Sequence, residues 1–415
     1  MKERIAKKSN KVELLAPAGD LEKFYTALHF GADAVYMAGQ RFGLRAYAGN
    51  FSVYKISECA EYAHSIGKKV YVTVNIYAND DDFTDLPEYI KSLERAGVDA
   101  VLVSDPGIIE LIRQISPELE IHLSTQANAT NRYAVKFWEK QGVKRVVCAR
   151  ECTLNQIAEM KKFCPQTELE AFVHGAMCIS YSGRCLLSNY LTDRNANRGE
   201  CVQACRWKYS VIPEDRTEAL PVTEDERGTY IFNSRDLNMI AHIDDLIESG
   251  VASLKIEGRM KSPYYVATVV NAYRRALDNF YEGKADFADE KLRSELVKAS
   301  HRAYTTGFFY GRDTDEPKQY YPSSKAEAES KFIAVIKDWK DGVSTVEMRN
   351  RFAVGDTLEI LSSNDSFGQK IKVDYIETLN GEKLTECKVV QQLVKIPCPY
   401  EVAEYDILRD AEKTE

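Results

Sequence analysis

Four cysteines, Cys178, Cys185, Cys201 and Cys205, recur as C-x6-C-x15-C-x3-C within the stretch HGAMCISYSGRCLLSNYLTDRNANRGECVQAC. The basic start MKERIAKKSNK runs into VELLAPAGD rather than an apolar leader, so a reducing, cytoplasmic setting is expected. There, clustered cysteines serve as metal ligands or redox groups more often than as disulfides. Gly183, Asn195, Asn197 and Gly199 lie among them, residue types that let a loop turn several thiolates toward one centre. Four thiolates suit an iron-sulfur cluster or a structural zinc. Zinc sites commonly pair cysteines at short spacing, as only Cys201 and Cys205 do; the wide first spacing leans toward a cluster and keeps zinc as the alternative. A role as small buried hydrophobes fits poorly in so polar a stretch. The other six, Cys59, Cys148, Cys152, Cys164, Cys387 and Cys398, fall on expected strands and helices and are assigned to the core.

Something must hold that loop, and the chain punctuates its own elements. An amphipathic run ends at a glycine and a short apolar run follows in FGADAVYMAG (30–39), IGKKVYVTVN (66–75), AGVDAVLVSD (96–105), QGVKRVVCAR (141–150) and SGVASLKIEG (249–258). The glycine caps a helix, and the apolar run reads as a strand buried on both faces. With KVELLAPAG, EIHLSTQAN and ELEAFVHGA there are eight strands, the number a closed (β/α)8 TIM-like barrel requires. An open doubly wound sheet is the rival, although no GxGxxG follows any strand. About seventy residues separate the last two strands, far more than an ordinary connection. This insertion, 176–228, carries the cysteines and leaves the barrel at the C-terminal end of the seventh strand, the face on which such barrels place their chemistry. The barrel is assigned to 1–285, a helical connector and linker to 286–330, and a small antiparallel β-barrel to 331–415, where alternation sets in. The charged, proline-containing linker predicts few contacts across that last boundary.

Composition sets limits. The chain has 415 residues, 44% hydrophobic and 28% charged, with net charge −8. That is enough apolar material for large cores, too acidic for a uniformly basic nucleic-acid binder, and without an 18-residue apolar run for a membrane span. Neither HExxH nor GxSxG occurs. A His174–Cys178 dyad lacks an evident third group to orient it.

The segment ELEAFVHGAMCISYSGRCLLSNY resembles the signature of the collagenase-like peptidase family U32, and NRGECVQACRWKY, SLKIEGRMKSPYYV and HRAYTTGFFYG extend the likeness over nearly the whole chain. Members with this layout are similar to prephenate-dependent tRNA uridine hydroxylases. The resemblance implies 5-hydroxyuridine at the wobble position of the tRNA anticodon loop, prephenate as oxygen donor, and a 4Fe-4S cluster held by Cys178, Cys185, Cys201 and Cys205. Related members act on ribosomal RNA or ubiquinone precursors. The alternatives are a collagenase-like peptidase and a non-catalytic iron-sulfur module that binds RNA or a partner. A paralogous subunit or another protein is a further candidate partner.

A dicarboxylate donor calls for guanidinium groups at the mouth. Strand ends offer Arg150 and Arg259, with Arg45 in the loop after the second strand. His174, at the end of the seventh strand, is expected to face substrate or a cluster sulfur, with a structural histidine as the other possibility. Glu257, Glu151, Asp105, Asn75, Gln126 and Asn128 are candidates to orient donor or uracil, and Glu257 is also a candidate partner for Arg259. For RNA, Arg194, Arg198, Arg206, Trp207, Lys208, Lys261, Tyr264 and Tyr265 are expected on the same face.

Overall fold

The computed structural model describes residues 11–44, 49–178, 180–207, 224–225, 228–229, 235–311 and 327–411. Eight parallel strands are built from the eight expected segments: β1 (Glu13–Pro17), β2 (Ala34–Ala38), β3 (Lys69–Val74), β4 (Ala100–Val103), β5 (Glu120–Leu123), β6 (Arg145–Val147), β7 (Glu168–Ala176) and, after a short β8 (Asp236–Asn238), β9 (Ser253–Ile256). Each of the first seven pairs with the next, and β9 pairs with both β7 and β1, which closes the barrel. Helices α1 (Leu21–His29), α2 (Val53–Ser65), α3 (Leu86–Arg95), α4 (Pro106–Ile115), α5 (Arg132–Lys140) and α6 (Leu154–Phe163) alternate with the strands, followed by α7 (Leu187–Thr192) in the insertion, α8 (Ile243–Glu248), α9 (Pro263–Tyr281) and α10 (Glu290–Lys298). The punctuating glycines Gly31, Gly67, Gly97, Gly142 and Gly250 all have positive φ, which ends each helix without the clash a Cβ would bring.

Two strands of this sheet were not foreseen. β8 runs antiparallel to the end of β7, with Leu237 opposite Gly175, and parallel to β10 (Tyr304–Thr305). The pair prolongs β7 beyond the barrel rim and fixes the stem from which the cysteine segment leaves.

Residues 332–410 form an eight-stranded antiparallel curled sheet with its own apolar cluster, including Ile336, Val346, Ile360 and Val394. The boundary with the barrel is not sparse. Arg409, wholly buried, bonds Glu295 of α10 at 2.7 Å and also meets Glu359, while Lys298 lies 3.0 Å from Glu295 and 3.2 Å from Glu359. Leu361, Phe367 and Ile407 pack into the barrel's own cluster, and Asn271 of α9 donates to the Ser362 carbonyl at 3.2 Å. The expectation of few crossing contacts is therefore corrected: a polar linker sequence says nothing about which buried charges pair across the junction. Among the described residues no helix is long and apolar enough to cross a membrane.

Candidate active site at the barrel mouth

Side chains two apart on a strand share a face. On β9 and its extension this places Ser253, Lys255 and Glu257 on the inner face, from floor to rim. Ser253 donates to Glu13 at 2.9 Å; Lys255 pairs with Glu170 of β7 at 2.8 Å; Glu257 pairs with Arg150 at 3.1 Å. Below Lys255 the floor is a closed ionic network. Arg145 of β6 reaches Glu13 at 2.5 Å, Glu168 at 2.7 Å and Glu170 at 3.3 Å, and Tyr71 donates to Glu13 at 2.6 Å. Burial alone would raise the Glu170 carboxyl, yet Lys255 and Arg145 beside it hold it down at about 2. Burial lowers Lys255 below an ordinary lysine, against the pull of Glu170.

Above the floor is a cavity of about 140 Å³. Its wall brings together Arg150, Lys255, Glu257 and Arg259 from the strand ends and Cys178, Cys185 and Cys201 from the insertion. Asn75 and Gln126, two of the expected polar strand-end groups, also line it and are bonded to each other at 3.3 Å. The insertion approaches the rim closely. A Cβ on Gly183, whose φ is +72°, would stand 2.9 Å from both Gln126 Cγ and Tyr77 Oη. Arg198 ties it down, donating to both Asp82 oxygens at 2.9 and 3.0 Å and to the Tyr77 carbonyl at 2.7 Å, and this holds the Asp82 carboxyl below its usual range.

Arg150 joins the two sets. One guanidinium nitrogen donates to Glu257 and another to Cys178 Sγ at 3.5 Å, and Cζ lies 4.0 Å from the Phe172 ring centre. Arg259, 4% exposed, donates to the Thr73 hydroxyl at 3.1 Å and to the Leu44 carbonyl. Glu257 thus has Arg150 as its ion-pair partner, where Arg259 had been a candidate. Cys201 Sγ accepts from the Gln203 backbone N–H at 3.4 Å and from the Ser188 hydroxyl at 3.9 Å. Such donors stabilise charge on sulfur, and the four cysteines are exposed or partly exposed while the other six are buried. Burial pushes the Cys59 and Cys152 thiols up to about 12 and raises Cys148, Cys164, Cys387 and Cys398, so those six are core residues as expected. The chemistry of the donor set fits a thiolate-held group. Among the described residues, however, no three His, Cys, Asp or Glu side chains already stand together as a metal-ligand set.

Several expected residues sit elsewhere. His174 is 1% exposed and outside the cavity wall. The β7–β9 register passes from Lys255 opposite Phe172 to Ile256 opposite His174, so one extra residue bulges in β7 and turns the imidazole outward. There its ring meets Tyr265, Tyr273 and Tyr304, with Tyr273 Oη 3.5 Å from Nδ1. Burial, with Lys261 and His301 nearby, lowers it to about 3. Its expected place at the mouth is corrected, and the imagined dyad does not form: Cys178 faces Arg150 instead. Asp105 caps α4, accepting from the Gly107 and Ile108 N–H groups at 2.8 and 3.1 Å. Asn128 donates to the Gln126 and Ser182 carbonyls, bracing the rim, and Glu151 is partly buried with a raised carboxyl, outside the cavity wall. Tyr264 and Tyr265 are core residues and Lys261 donates to the Ser300 carbonyl, so these three are not a ready RNA face. Trp207 is exposed, as are Tyr181, Leu186, Tyr190 and Leu191 around it in the insertion. Arg45 and Lys208 lie outside the described residues, as does the side chain of Arg206. Lys255, Glu170 and Arg145 were missed; the signal was a charge inside each apolar run, in SLKI, ELEAF and KRVV.

Two family models match the chain: Peptidase family U32 over residues 19–319 and the Peptidase family U32 C-terminal domain over 328–409. The chain is 40% identical to tRNA hydroxylation protein P1 of Bacillus subtilis (strain 168), a match covering 97% of this chain and 95% of that protein. It is 36% identical to tRNA hydroxylation protein P of Escherichia coli (strain K12), over 94% and 95% respectively. It is also 35% identical to the 23S rRNA 5-hydroxycytidine C2501 synthase of the same organism, over 87% of this chain and 54% of that one. With a closed barrel, a cysteine insertion at the C-terminal ends of its strands and both domain models matched in order, the chain belongs to peptidase family U32.

Proposed function

We propose that this protein is a tRNA-modifying hydroxylase that converts uridine to 5-hydroxyuridine at the wobble position, with prephenate as oxygen donor. The carrying observation is the shared wall: Cys178, Cys185 and Cys201 line one cavity with Arg150, Lys255 and Arg259. Relatives named tRNA hydroxylation proteins match over nearly the full length, which supports tRNA over other substrates. Cys178, Cys185, Cys201 and Cys205 would hold a 4Fe-4S cluster, with zinc as the alternative, and such a cluster supplies redox or Lewis-acid chemistry beside the cavity.

The chain's own residues do the rest. Among the described residues the wall carries Arg150, Lys255 and Arg259 with Glu257, which favours an anionic donor, and a guanidinium such as that of Arg259 suits a carboxylate. Arg150 links the donor side to Cys178, so carboxylate binding and the cysteine side share one side chain. Asn75 and Gln126 offer amide donors and acceptors of the kind that read a uracil edge. The exposed Tyr190 and Trp207 suit stacking on unpaired bases of a loop. The test is nucleoside mass spectrometry of tRNA from a deletion strain, with and without the restored gene. Loss and return of 5-hydroxyuridine is expected; unchanged nucleosides would favour a peptidase or a non-catalytic module.

A further inference from the structure

We propose that Lys255 forms an oxyanion subsite at the floor of the cavity, where its ammonium takes one carboxylate of a small organic acid. This rests on the reading of the cavity as a small-molecule donor site. Lys255 is 4% exposed, and what it exposes is part of the cavity wall; Glu170, its partner, lies beneath and is not part of that wall. An ammonium has three N–H donors. Among the described residues one goes to Glu170, at 2.8 Å, which fixes the group in place and leaves donors for a ligand. The rings of Tyr36 and Phe172, with centres 4.5 and 5.5 Å from Nζ, form apolar walls around it. An ion held in such a place, poorly hydrated and already oriented, binds an oxyanion more strongly than a surface lysine does.

Position along β9 separates Lys255 from its neighbours on the same face. Ser253 is absorbed by Glu13 below it, and Glu257 above it is neutralised by Arg150. Among the cations of the described wall, Lys255 is therefore the one at the floor, with Arg259 nearer the rim. A ligand with two carboxylates can engage both, whereas one with a single carboxylate engages one. The subsite predicts preference for a dicarboxylate over a monocarboxylate of similar size.

The experiment is isothermal titration calorimetry of the full-length protein with prephenate, phenylpyruvate and succinate, alongside filter binding of unmodified tRNA. The variants are Lys255→Gln, which removes the charge and keeps a shorter amide donor, and the double variant Lys255→Met/Glu170→Gln, which removes both buried charges together. Thermal unfolding identifies which of them is folded. The expected result is binding of prephenate by the wild type, weakened roughly 10- to 150-fold in a folded variant, as for the loss of one charge-assisted hydrogen bond, with tRNA affinity unchanged. Equal carboxylate affinity in wild type and variant would overturn the subsite. So would a variant that loses tRNA affinity instead, since the floor would then hold a base oxygen, or a wild type that binds none of the three acids. Binding of phenylpyruvate or succinate but not prephenate, lost in the variant, would leave the subsite standing and remove prephenate as the donor.

Discussion

The floor and the mouth of the barrel are both lined with charge, and they differ in what that charge is bonded to. On the floor Arg145 and Lys255 share three carboxylates, Glu13, Glu168 and Glu170, in a network internal to the chain. At the mouth Arg150, Glu257 and Arg259 face a cavity whose wall also carries Cys178, Cys185 and Cys201. The same inner face of one strand carries both, from Ser253 to Glu257. The difference teaches that alternation along a strand decides whether a residue points inward, while height along the barrel decides whether it is structure or site. Substitutions below the cavity wall, at Arg145 and its carboxylates, should therefore cost stability and mouth substitutions activity, with Lys255 at the border of the two.

The largest expected effect is at the mouth. Anaerobically purified wild-type protein should be brown with about four iron per chain, as for a cysteine-held cubane, and Cys201→Ser should lose the colour and all hydroxylation while keeping its unfolding temperature. A colourless wild type with one zinc would replace the cluster by zinc and keep the ligands. Next is the floor: Arg145→Leu leaves buried carboxylates without their shared cation and should destabilise by about 3–5 kcal/mol, read by denaturant unfolding. A stable Arg145→Leu protein would break the comparison.

How much of this contrast was legible in the sequence depended on the kind of signal. The eight strands showed themselves because each helix ends at a glycine such as Gly97 or Gly250 before an apolar run, a pattern set by backbone sterics. Arg150, Glu257 and Arg259 were legible because they end such runs, which in a parallel barrel is the site face. Lys255 and Glu170 were not, since strands buried on both faces were read as apolar throughout and a barrel interior can bury paired charge. His174 was misplaced by a single-residue bulge, which no periodicity reveals. The pairing of Arg409 with Glu295 joins residues far apart in sequence and leaves no local trace.

Arg259→Lys keeps charge but loses the fork that reaches both Thr73 and Leu44. Losing one charge-assisted hydrogen bond of about 1.5–3 kcal/mol should weaken the hold on prephenate roughly 10- to 150-fold, seen as a shift of the prephenate dependence with tRNA affinity unchanged. A wild-type curve would make Arg259 a brace for the Leu44 loop and leave Arg150 as the leading donor contact.

The smallest effect is the acid response of the outward-turned His174. Its buried ring, at about 3, resists a proton that the unfolded chain accepts near 6.5. Stability should thus fall as pH drops below 6.5 and go on falling toward 3, by about 2 kcal/mol at pH 5. Glu170 loses its contribution at lower pH, as pH falls from 4.5 through about 2, so between 6.5 and 4.5 the fall belongs to His174 and below 4.5 both contribute. In His174→Gln the loss between pH 7 and pH 5 should shrink; an unchanged slope, measured by urea unfolding, would mean the ring is hydrated.

The most direct test of the central claim, that cysteines and cations serve one chemistry in one cavity, is hydroxylation of unmodified tRNA in vitro. Wild-type protein with prephenate should form 5-hydroxyuridine, and neither Cys201→Ser with prephenate nor wild type without it should do so. Product formed at the wild-type rate by Cys201→Ser, or in the absence of prephenate, would contradict it.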